Sequence, residues 1–300
     1  MRSIYLDNSA TTKVYPDVAE LMCKTMLADY GNPSAKHIMG VEAEKYYRES
    51  REEIAETLKV KAKEILFTSG GTESDNMALI GGCFAKMRQG KHIISSAIEH
   101  PAIYKALEFL ESHGFEISIL PVDEKGHISL TELEKTLRED TVMVSIMTVN
   151  NEMGAVEDIH AIGELIKKKN SNCLFHTDAI QAYGKMILHP KKDFVDLLSV
   201  SGHKLHGPKG IGFLFIDEKV KINPILFGGG QQGGLRSGTL NIPGIAGMGL
   251  AAKMVYQDFP KKIEKLYELK DYFIEELEKL PEVKVNSEKG KASAPQIVSA

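Results

Sequence analysis

Two side chains, those of Lys204 and Asp178, stand where the chain could bind and activate a ligand. Asp178 lies near the end of the apolar segment "CLFHTDA" (173–179), and Lys204 follows the apolar segment "DLLSVSG" (196–202). A carboxylate at the end of a buried strand needs a salt bridge, a cap or a cationic ligand atom to offset its burial. A lysine in a partly dry pocket beside other cations becomes nucleophilic and can form a Schiff base with an aldehyde.

A second lysine, Lys209, follows in the same stretch, "SVSGHKLHGPKGIG" (199–212). It stands between a proline and a glycine, in a turn that water can reach. We therefore expect Lys209 to be an ordinary surface charge and Lys204 to be the reactive amine.

The turn "TSGGTESDN" (68–76) is suited to hold a phosphate group. Its two glycines let backbone N–H groups approach an anion, and Thr72 is placed to cap the helix that begins there. The helix N-terminus adds positive potential. The turn lacks the Gly-Lys-Ser/Thr ending of a Walker A loop, so a simple helix start is the alternative interpretation.

Together these parts match one cofactor. Pyridoxal phosphate requires a lysine for a Schiff base, an acid at its pyridine nitrogen and a cup for its phosphate. The alternative is a zinc site, for which the spacing of the histidines is weak support. Such a site would draw on His176, Asp178, His203 and His206.

Apolar runs of strand length alternate with amphipathic segments of helix length. This alternation predicts an α/β fold with a mostly parallel seven-stranded sheet and helices on both faces. The last two runs are too close for a helix between them, so one of them is expected to be antiparallel. Because ligands gather at the carboxyl ends of such strands, the polar residues there are expected to meet. The runs are 64–69, 92–98, 116–122, 142–149, 173–179, 196–202 and 211–216, and the helical segments include 73–88, 101–113, 130–138 and 158–169.

The alternation of strand-length and helix-length segments stops near residue 256. A long amphipathic helix is predicted to follow and to end at Pro281. Two strand-like segments, "VKVNS" and "PQIVSA", follow it. One helix and two strands cannot close a core alone. We therefore predict a large cofactor-binding domain over 16–255 and a smaller α/β domain from 1–15 and 256–300, incomplete within these 300 residues.

Charge and cysteine content exclude several classes of protein. A formal net charge of −4 argues against nucleic-acid binding, which normally needs a basic face. No apolar run approaches the roughly 18–20 residues that cross a bilayer, so no membrane contact is expected. The chain has three scattered cysteines, Cys23, Cys83 and Cys173, which is typical of a protein in a reducing compartment, and we expect it to be cytoplasmic. We expect all three cysteines to be structural, with Cys23 and Cys83 in the core.

Eight motifs give the sequence a family resemblance. It resembles the cysteine desulfurases of the NifS/IscS type, within the fold-type I pyridoxal-phosphate enzymes related to class V aminotransferases. The motifs are "IYLDNSATT" (4–12), "GNPSAKH" (31–37), "FTSGGTESDN" (67–76), "EHPAI" (99–103), "SIMTVNNEMG" (145–154), "HTDAIQAYGK" (176–185), "SGHKLHGPKGIG" (201–212) and "RSGTLNIPGI" (236–245).

The resemblance implies roles around the cofactor ring. Lys204 would carry the Schiff base and later move the α-proton of the substrate. Asp178 would pair with the pyridinium nitrogen, and His100 would stack on the ring face and assist proton transfer. Gln181 would hydrogen-bond the phenolate oxygen, with Asn151 near it and near the substrate carboxylate.

The resemblance also implies a phosphate site and a homodimer. Gly71, Thr72, Ser201 and His203 would hold the phosphate. Thr239 would reach the phosphate in the partner subunit, because family members are homodimers with the cofactor near the interface.

The implied reaction converts L-cysteine to L-alanine and leaves the sulfur as a persulfide for an acceptor, typically an iron–sulfur scaffold protein. In the family, the nucleophilic cysteine and the arginine that binds the substrate carboxylate come after the position of Ala300, so both are expected outside these 300 residues. Cys173 does not match the motif of the nucleophile. Alternatives are a selenocysteine lyase, a class V aminotransferase and a non-catalytic protein on the same scaffold.

Overall fold

A seven-stranded sheet organises the chain, which the computed structural model describes over residues 4–300. Its strands are β1 (Ile65–Thr68), β2 (His92–Ser96), β3 (Glu116–Leu120), β4 (Thr141–Ser145), β5 (Leu174–Asp178), β6 (Leu197–Ser201) and β7 (Gly212–Ile216). The spatial order is β1-β7-β6-β5-β4-β2-β3. The pairs among β2 to β6 are parallel, whereas β7 is antiparallel to both of its neighbours. The predicted sheet and its antiparallel strand are thus confirmed.

Helices cover both faces of the sheet. The helices are α1 (Pro16–Leu27), α2 (Ile38–Leu58), α3 (Gly71–Asn76), α4 (Gly82–Lys86), α5 (Pro101–Ser112), α6 (Leu130–Thr136), α7 (Ile159–Lys169), α8 (Ile242–Tyr256) and α9 (Phe259–Leu277). A π-helical turn, Met77–Gly81, joins α3 to α4. The buried apolar residues of α1, α2, α6, α7 and α8 form one core, and those of the α3–α4 run and α5 form a second core. Because both faces are covered, every strand except β3 is buried along its whole length.

The C-terminal part of the chain differs from the sequence prediction. Helix α9 ends at Leu277 rather than at Pro281. Residues 283–287 and 295–300 form no strand; two N–H groups, those of Asn286 and Ser287, donate to the carbonyl of Ser299. A pairing this short does not build a ladder, and the apolar side chain of Ile297 packs instead into the first core.

Cys23 is exposed, which corrects the prediction that it lies in the core. In α1 the buried face carries Val18 and Thr25, seven residues apart, and Cys23 falls outside that helical stripe. Cys83 is buried, as expected, and Cys173 is buried as well. Within residues 4–300, no helix combines the length and the apolar character needed to span a membrane.

Candidate active site

A cavity of about 540 Å³ opens at the carboxyl ends of the parallel strands. Residues at or just after the ends of β1, β2, β4, β5 and β6 line it, which is why distant motifs meet here. All the predicted site residues line the cavity except Thr239, which is exposed elsewhere. The lining residues are Ser9, Ala10, Gly71, Thr72, His100, Met147, Asn151, Glu152, Asp178, Ile180, Gln181, Ser201, His203 and Lys204.

Lys204 ends a short 3₁₀ turn (Gly202–Lys204) that follows β6. Its ammonium donates to the carbonyl of Ser9 and to that of Ala10, the latter at 2.9 Å. Burial lowers the pKa of the Lys204 amine, although the carboxylates of Asp178 and Asp7 act in the opposite direction. The amine is therefore easier to deprotonate than that of a surface lysine.

Thr12 ties the N-terminal segment to the turn that carries Lys204. Its N–H and its hydroxyl both donate to the carbonyl of His203, at 2.9 and 2.8 Å. The same hydroxyl accepts from the N–H of His206 at 2.7 Å. These bonds place the carbonyls of Ser9 and Ala10 against the Lys204 ammonium.

Asp178 ends β5 at the floor of the cavity, and only 3% of it is exposed. Its Oδ1 accepts from the N–H of Ile180 at 2.8 Å. Burial raises the pKa of Asp178 to about 6, while the Ile180 N–H and the Lys204 charge pull it down. A cation placed against this carboxylate would stabilise its ionised form.

A row of buried polar side chains lies beneath Asp178. The two ring nitrogens of His176 bond the hydroxyls of Ser145 and Ser199, at 2.9 and 3.0 Å. Burial lowers the pKa of His176 to about 3, so the ring is neutral. The Asp75 carboxyl lies 3.7 Å from this ring, and burial, followed by the charge of Asp178, raises the pKa of Asp75 well above its ordinary value. Beneath Asp178, His176 is therefore neutral and the Asp75 carboxyl is harder to ionise than an exposed one.

His100 borders the cavity as the N-cap of α5. Its Nδ1 accepts from the N–H of Ala102 at 3.1 Å, which leaves the ring proton on Nε2. Burial and the nearby charge of Lys204 lower the pKa of His100, so the ring is neutral. The preceding residue, Glu99, accepts from the Ser96 hydroxyl at 2.6 Å and from the Met147 N–H at 2.9 Å, which joins the ends of β2 and β4.

Gly70 is required in the 68–73 turn, and Gly71 packs closely against Ile180. Gly70 has a φ of +152°, and a Cβ added to Gly71 would lie 2.1 Å from the Ile180 Cδ1. The N-cap of α3 is Gly70 rather than Thr72, which corrects the predicted cap. Thr72 instead lines the cavity. Its neighbours at this end include His203, whose pKa is lowered to about 4 by burial and then by nearby lysines.

The glycine-rich loop (228–238) is attached to both sides of the 68–73 turn. The Gln232 side-chain amide accepts from the N–H of Phe67 and donates to its carbonyl, both at 2.8 Å. It thereby gives hydrogen-bond partners to the main chain of Phe67 at the free edge of β1. The Arg236 guanidinium donates to the Glu73 carboxylate at 2.8 and 3.2 Å. Glu73 also accepts from the N–H of Ser69 at 2.7 Å.

Sequence reasoning missed some groups that the structure brings to the site. Lys185 donates to the carbonyl of Lys204, and Ser9 and Ala10 supply carbonyls. All three belong to the motifs "HTDAIQAYGK" and "IYLDNSATT", in which only some positions received a role.

The residues of the alternative zinc site do not converge. His176 is enclosed between two serine hydroxyls, and His206 stacks on Tyr15 with ring centroids 4.4 Å apart. Within residues 4–300, no three His, Cys, Asp or Glu side chains are grouped as metal ligands.

Comparisons with known proteins agree with the geometry. The family model "Aminotransferase class-V" matches residues 4–300. A cysteine desulfurase IscS from Dictyoglomus turgidum is 46% identical over 278 residues, which are 93% of this chain and 70% of that protein. A solved structure titled "NIFS-LIKE PROTEIN" has a TM-score of 0.95 at 38% identity and covers 98% of this chain and 80% of its own. Another, titled "SspA in complex with cysteine", has a TM-score of 0.80 at 37% identity and covers 88% and 78%.

Proposed function

Because this chain belongs to the class-V aminotransferase family, we propose that it works as a pyridoxal-phosphate-dependent cysteine desulfurase. The reaction converts L-cysteine to L-alanine and passes the sulfur on as a persulfide. The observation that carries the proposal is the meeting of Lys204, Asp178 and the 68–73 turn in one cavity. The named relatives and the cysteine-bound structural neighbour support the substrate.

The chemistry of the donor set fits the cofactor. One cavity holds an amine with a lowered pKa, a buried carboxylate whose charge lacks a full partner, and a glycine turn at a helix start. Pyridoxal phosphate needs these three groups at its aldehyde, its ring nitrogen and its phosphate. A Cβ at Gly71 would push Ile180 out of place beside Asp178, so the turn also keeps this end of the cavity open.

Each end of the cofactor would be held by different residues. Lys204 would bind the aldehyde carbon, Asp178 the ring nitrogen, His100 the ring face and Gln181 the phenolic oxygen, with Asn151 nearby. The phosphate would be bound by Gly71, Thr72, Ser201 and His203, and by Thr239 of a second copy of this chain.

When bound, the cofactor supplies an electron sink that stabilises negative charge on the substrate α-carbon. Lys204 is the base for the α-proton, because its amine combines a lowered pKa with a place in the cavity. Asp178 would hold a proton on the ring nitrogen. Beneath it His176 is neutral and the raised pKa of Asp75 disfavours a second negative charge, so Asp178 would be the carboxylate that balances the charge of the ring.

Sulfur transfer requires a thiol in addition to the cavity. The C–S bond of L-cysteine breaks, an S–S bond forms between that sulfur and a cysteine thiolate, and the substrate carbon takes a proton to become L-alanine. None of Cys23, Cys83 and Cys173 lines the cavity. We propose that the persulfide forms on a thiol other than these three and then goes to an iron–sulfur scaffold or another acceptor protein.

A homodimer is part of the proposal. Large apolar side chains are exposed at three places. Leu6 (83% exposed) lies in the N-terminal segment, Leu27 (75%) ends α1, and Phe227 (79%) directly precedes the glycine-rich loop in the sequence. Such side chains fit a covered interface. The domain division, with 16–255 as the large domain, also stays a proposal, and residues 1–3 of its smaller part lie outside the described residues.

Product analysis tests the proposed function. The chain loaded with pyridoxal phosphate and given L-cysteine in D₂O should exchange the substrate α-proton, which proton NMR detects. The Lys204→Ala variant should exchange at least about 100-fold more slowly. The intact enzyme should form alanine and sulfide in equal amounts in the presence of a thiol reductant, and pyruvate as the carbon product would contradict the proposal.

A further inference from the structure

Lys185 is a second lysine at the active site that the proposed reaction leaves without a role. It lies in the turn after β5, and its ammonium donates to the main-chain carbonyl of Lys204. Lys185 is only partly buried, yet burial and the neighbouring Lys204 charge lower its pKa to about 8. Holding a charge in such a place is costly, so the position calls for an explanation.

The main chain on both sides of Lys185 is held by one tyrosine. The hydroxyl of Tyr256 accepts from the N–H of Gly184 at 3.0 Å and donates to the carbonyl of Met186 at 3.1 Å. Tyr256 extends from the C-terminal end of α8, in the first core. Lys185 is therefore presented from a fixed point rather than from a loose loop.

The hydrogen bond from Lys185 completes the anchoring of the Lys204 turn. The carbonyl of Gly202 accepts from the N–H groups of Leu205 and Gly207, and that of His203 accepts from Thr12. The carbonyl of Lys204 is the third carbonyl of the turn, and Lys185 binds it. All three carbonyls of the turn are thus fixed by neighbours.

Among the described residues, the Lys185 ammonium forms no ion pair with a carboxylate. The groups around it are Lys204, His203 and His206, and its charge helps to lower the pKa of both histidines. The carboxylates of Asp178 and Asp7 act on Lys204 instead.

We propose that Lys185 is a positioning residue for Lys204, which fixes the main chain of the reactive lysine and adds a positive charge that favours the neutral form of its nitrogen. The inference rests on the proposed function, since it assigns Lys185 to the base of that reaction. A cation close to an amine or imine nitrogen disfavours its protonation, so loss of Lys185 would make the Lys204 nitrogen harder to deprotonate.

Three substitutions separate charge from structure. Lys185→Met removes the charge and the hydrogen bond, Lys185→Gln removes the charge but keeps a donor, and Lys185→Arg keeps both. Lys209→Met is the matched control, because Lys209 is an exposed lysine five residues after Lys204.

The readout is the pH midpoint of the visible absorption of the cofactor-loaded proteins. We expect the Met and Gln variants to shift the midpoint upward by about one pH unit. The Arg variant and the Lys209→Met control should stay within about 0.3 pH unit of the wild type. An unchanged midpoint in the Gln variant, or an equal shift in the Arg variant, would overturn the proposal, even if thermal stability falls.

A second measurement keeps the inference separate from the proposed function. In the cofactor-free chain, the pH dependence of Lys185 acetylation, followed by peptide mass spectrometry, reports the same pair of charges from the side of Lys185, whose pKa is lowered by burial and by the Lys204 charge. Its midpoint should rise in Lys204→Met and not in Lys209→Met, and an unchanged midpoint in Lys204→Met would overturn the proposal. If the wild type binds no cofactor at Lys204, the proposed function fails, whereas this labelling midpoint still decides the role of Lys185.

Discussion

The guanidinium of Arg236 and the carboxylate of Glu73 form a two-point ion pair that joins the glycine-rich loop to the start of α3. The Nε–Oε1 distance is 2.8 Å and the Nη2–Oε2 distance is 3.2 Å, with only 20% and 16% of the side chains exposed. Because Glu73 also accepts from Ser69, one carboxylate connects the loop to the predicted phosphate turn.

Arg236→Ala should therefore weaken both the fold and the cofactor site. It leaves the largely buried Glu73 carboxylate without its cation, which should lower the free energy of unfolding by about 1–3 kcal/mol. The affinity for pyridoxal phosphate should fall about 10-fold or more, because the turn loses its support. Urea unfolding and fluorescence titration with the cofactor measure the two effects.

Lys253→Ala is the control for this ion pair. Lys253 binds Glu53 at 2.7 Å on the surface, with 60% of the lysine side chain exposed, so its loss should cost at most about 1 kcal/mol. An equal loss of stability in the two variants, with cofactor affinity unchanged in both, would contradict the coupling of loop and turn.

Thr12→Val should destabilise the turn that carries Lys204. The substitution keeps the shape of the side chain but removes a hydroxyl that donates to the His203 carbonyl and accepts from the His206 N–H. Thr12 is 3% exposed, so these backbone groups lose a buried partner, at about 1–3 kcal/mol. Thr136→Val, which removes a hydroxyl bonded only within its own helix turn, should change stability by about 0.5 kcal/mol or less. Equal effects in urea unfolding would show that Thr12 does not anchor the turn.

Glu99 should make the stability of the chain depend on pH. Burial raises the pKa of Glu99 in the fold to about 8 from its ordinary 4.5, in spite of its hydrogen bonds with Ser96 and Met147. The folded state therefore binds a proton that the unfolded state has lost, and the contribution of Glu99 to stability falls as the pH rises from about 4.5 to 8.

Glu99→Gln removes this contribution while its carbonyl oxygen can still accept from Ser96 and Met147. As the pH rises through that window, the unfolding free energy of the wild type should fall relative to that of the variant, by a few kcal/mol at most. Denaturant unfolding at pH 5, 6, 7 and 8 follows it. A difference that is constant across these pH values would mean that Glu99 is ionised throughout.

The sheet and the cavity could be predicted from the sequence because both depend on local patterns. Each strand is a short apolar run bounded by turn residues, and polar residues that follow parallel strands meet at one edge. Since Lys204, Asp178 and His100 each stand at or just after the end of such a run, their meeting follows from the order of the elements alone.

The remaining features depend on tertiary contacts that no local pattern carries. The strand-like segment 295–300 gains more by burying Ile297 against the large core than by pairing, and it forms no strand. The position of Cys23 depends on the rotational phase of α1. The contact between Lys185 and Lys204 spans two loops, so the motif that contains Lys185 gave it no role.

The assignment of Lys204 as the residue that binds the cofactor is tested most directly by borohydride reduction of the cofactor-loaded protein, followed by proteolysis and mass spectrometry. We expect the added pyridoxyl phosphate mass on the peptide that contains Lys204, and no such addition in Lys204→Ala. Attachment at Lys185 or Lys209 in the wild type, or no attachment at any lysine, would contradict it.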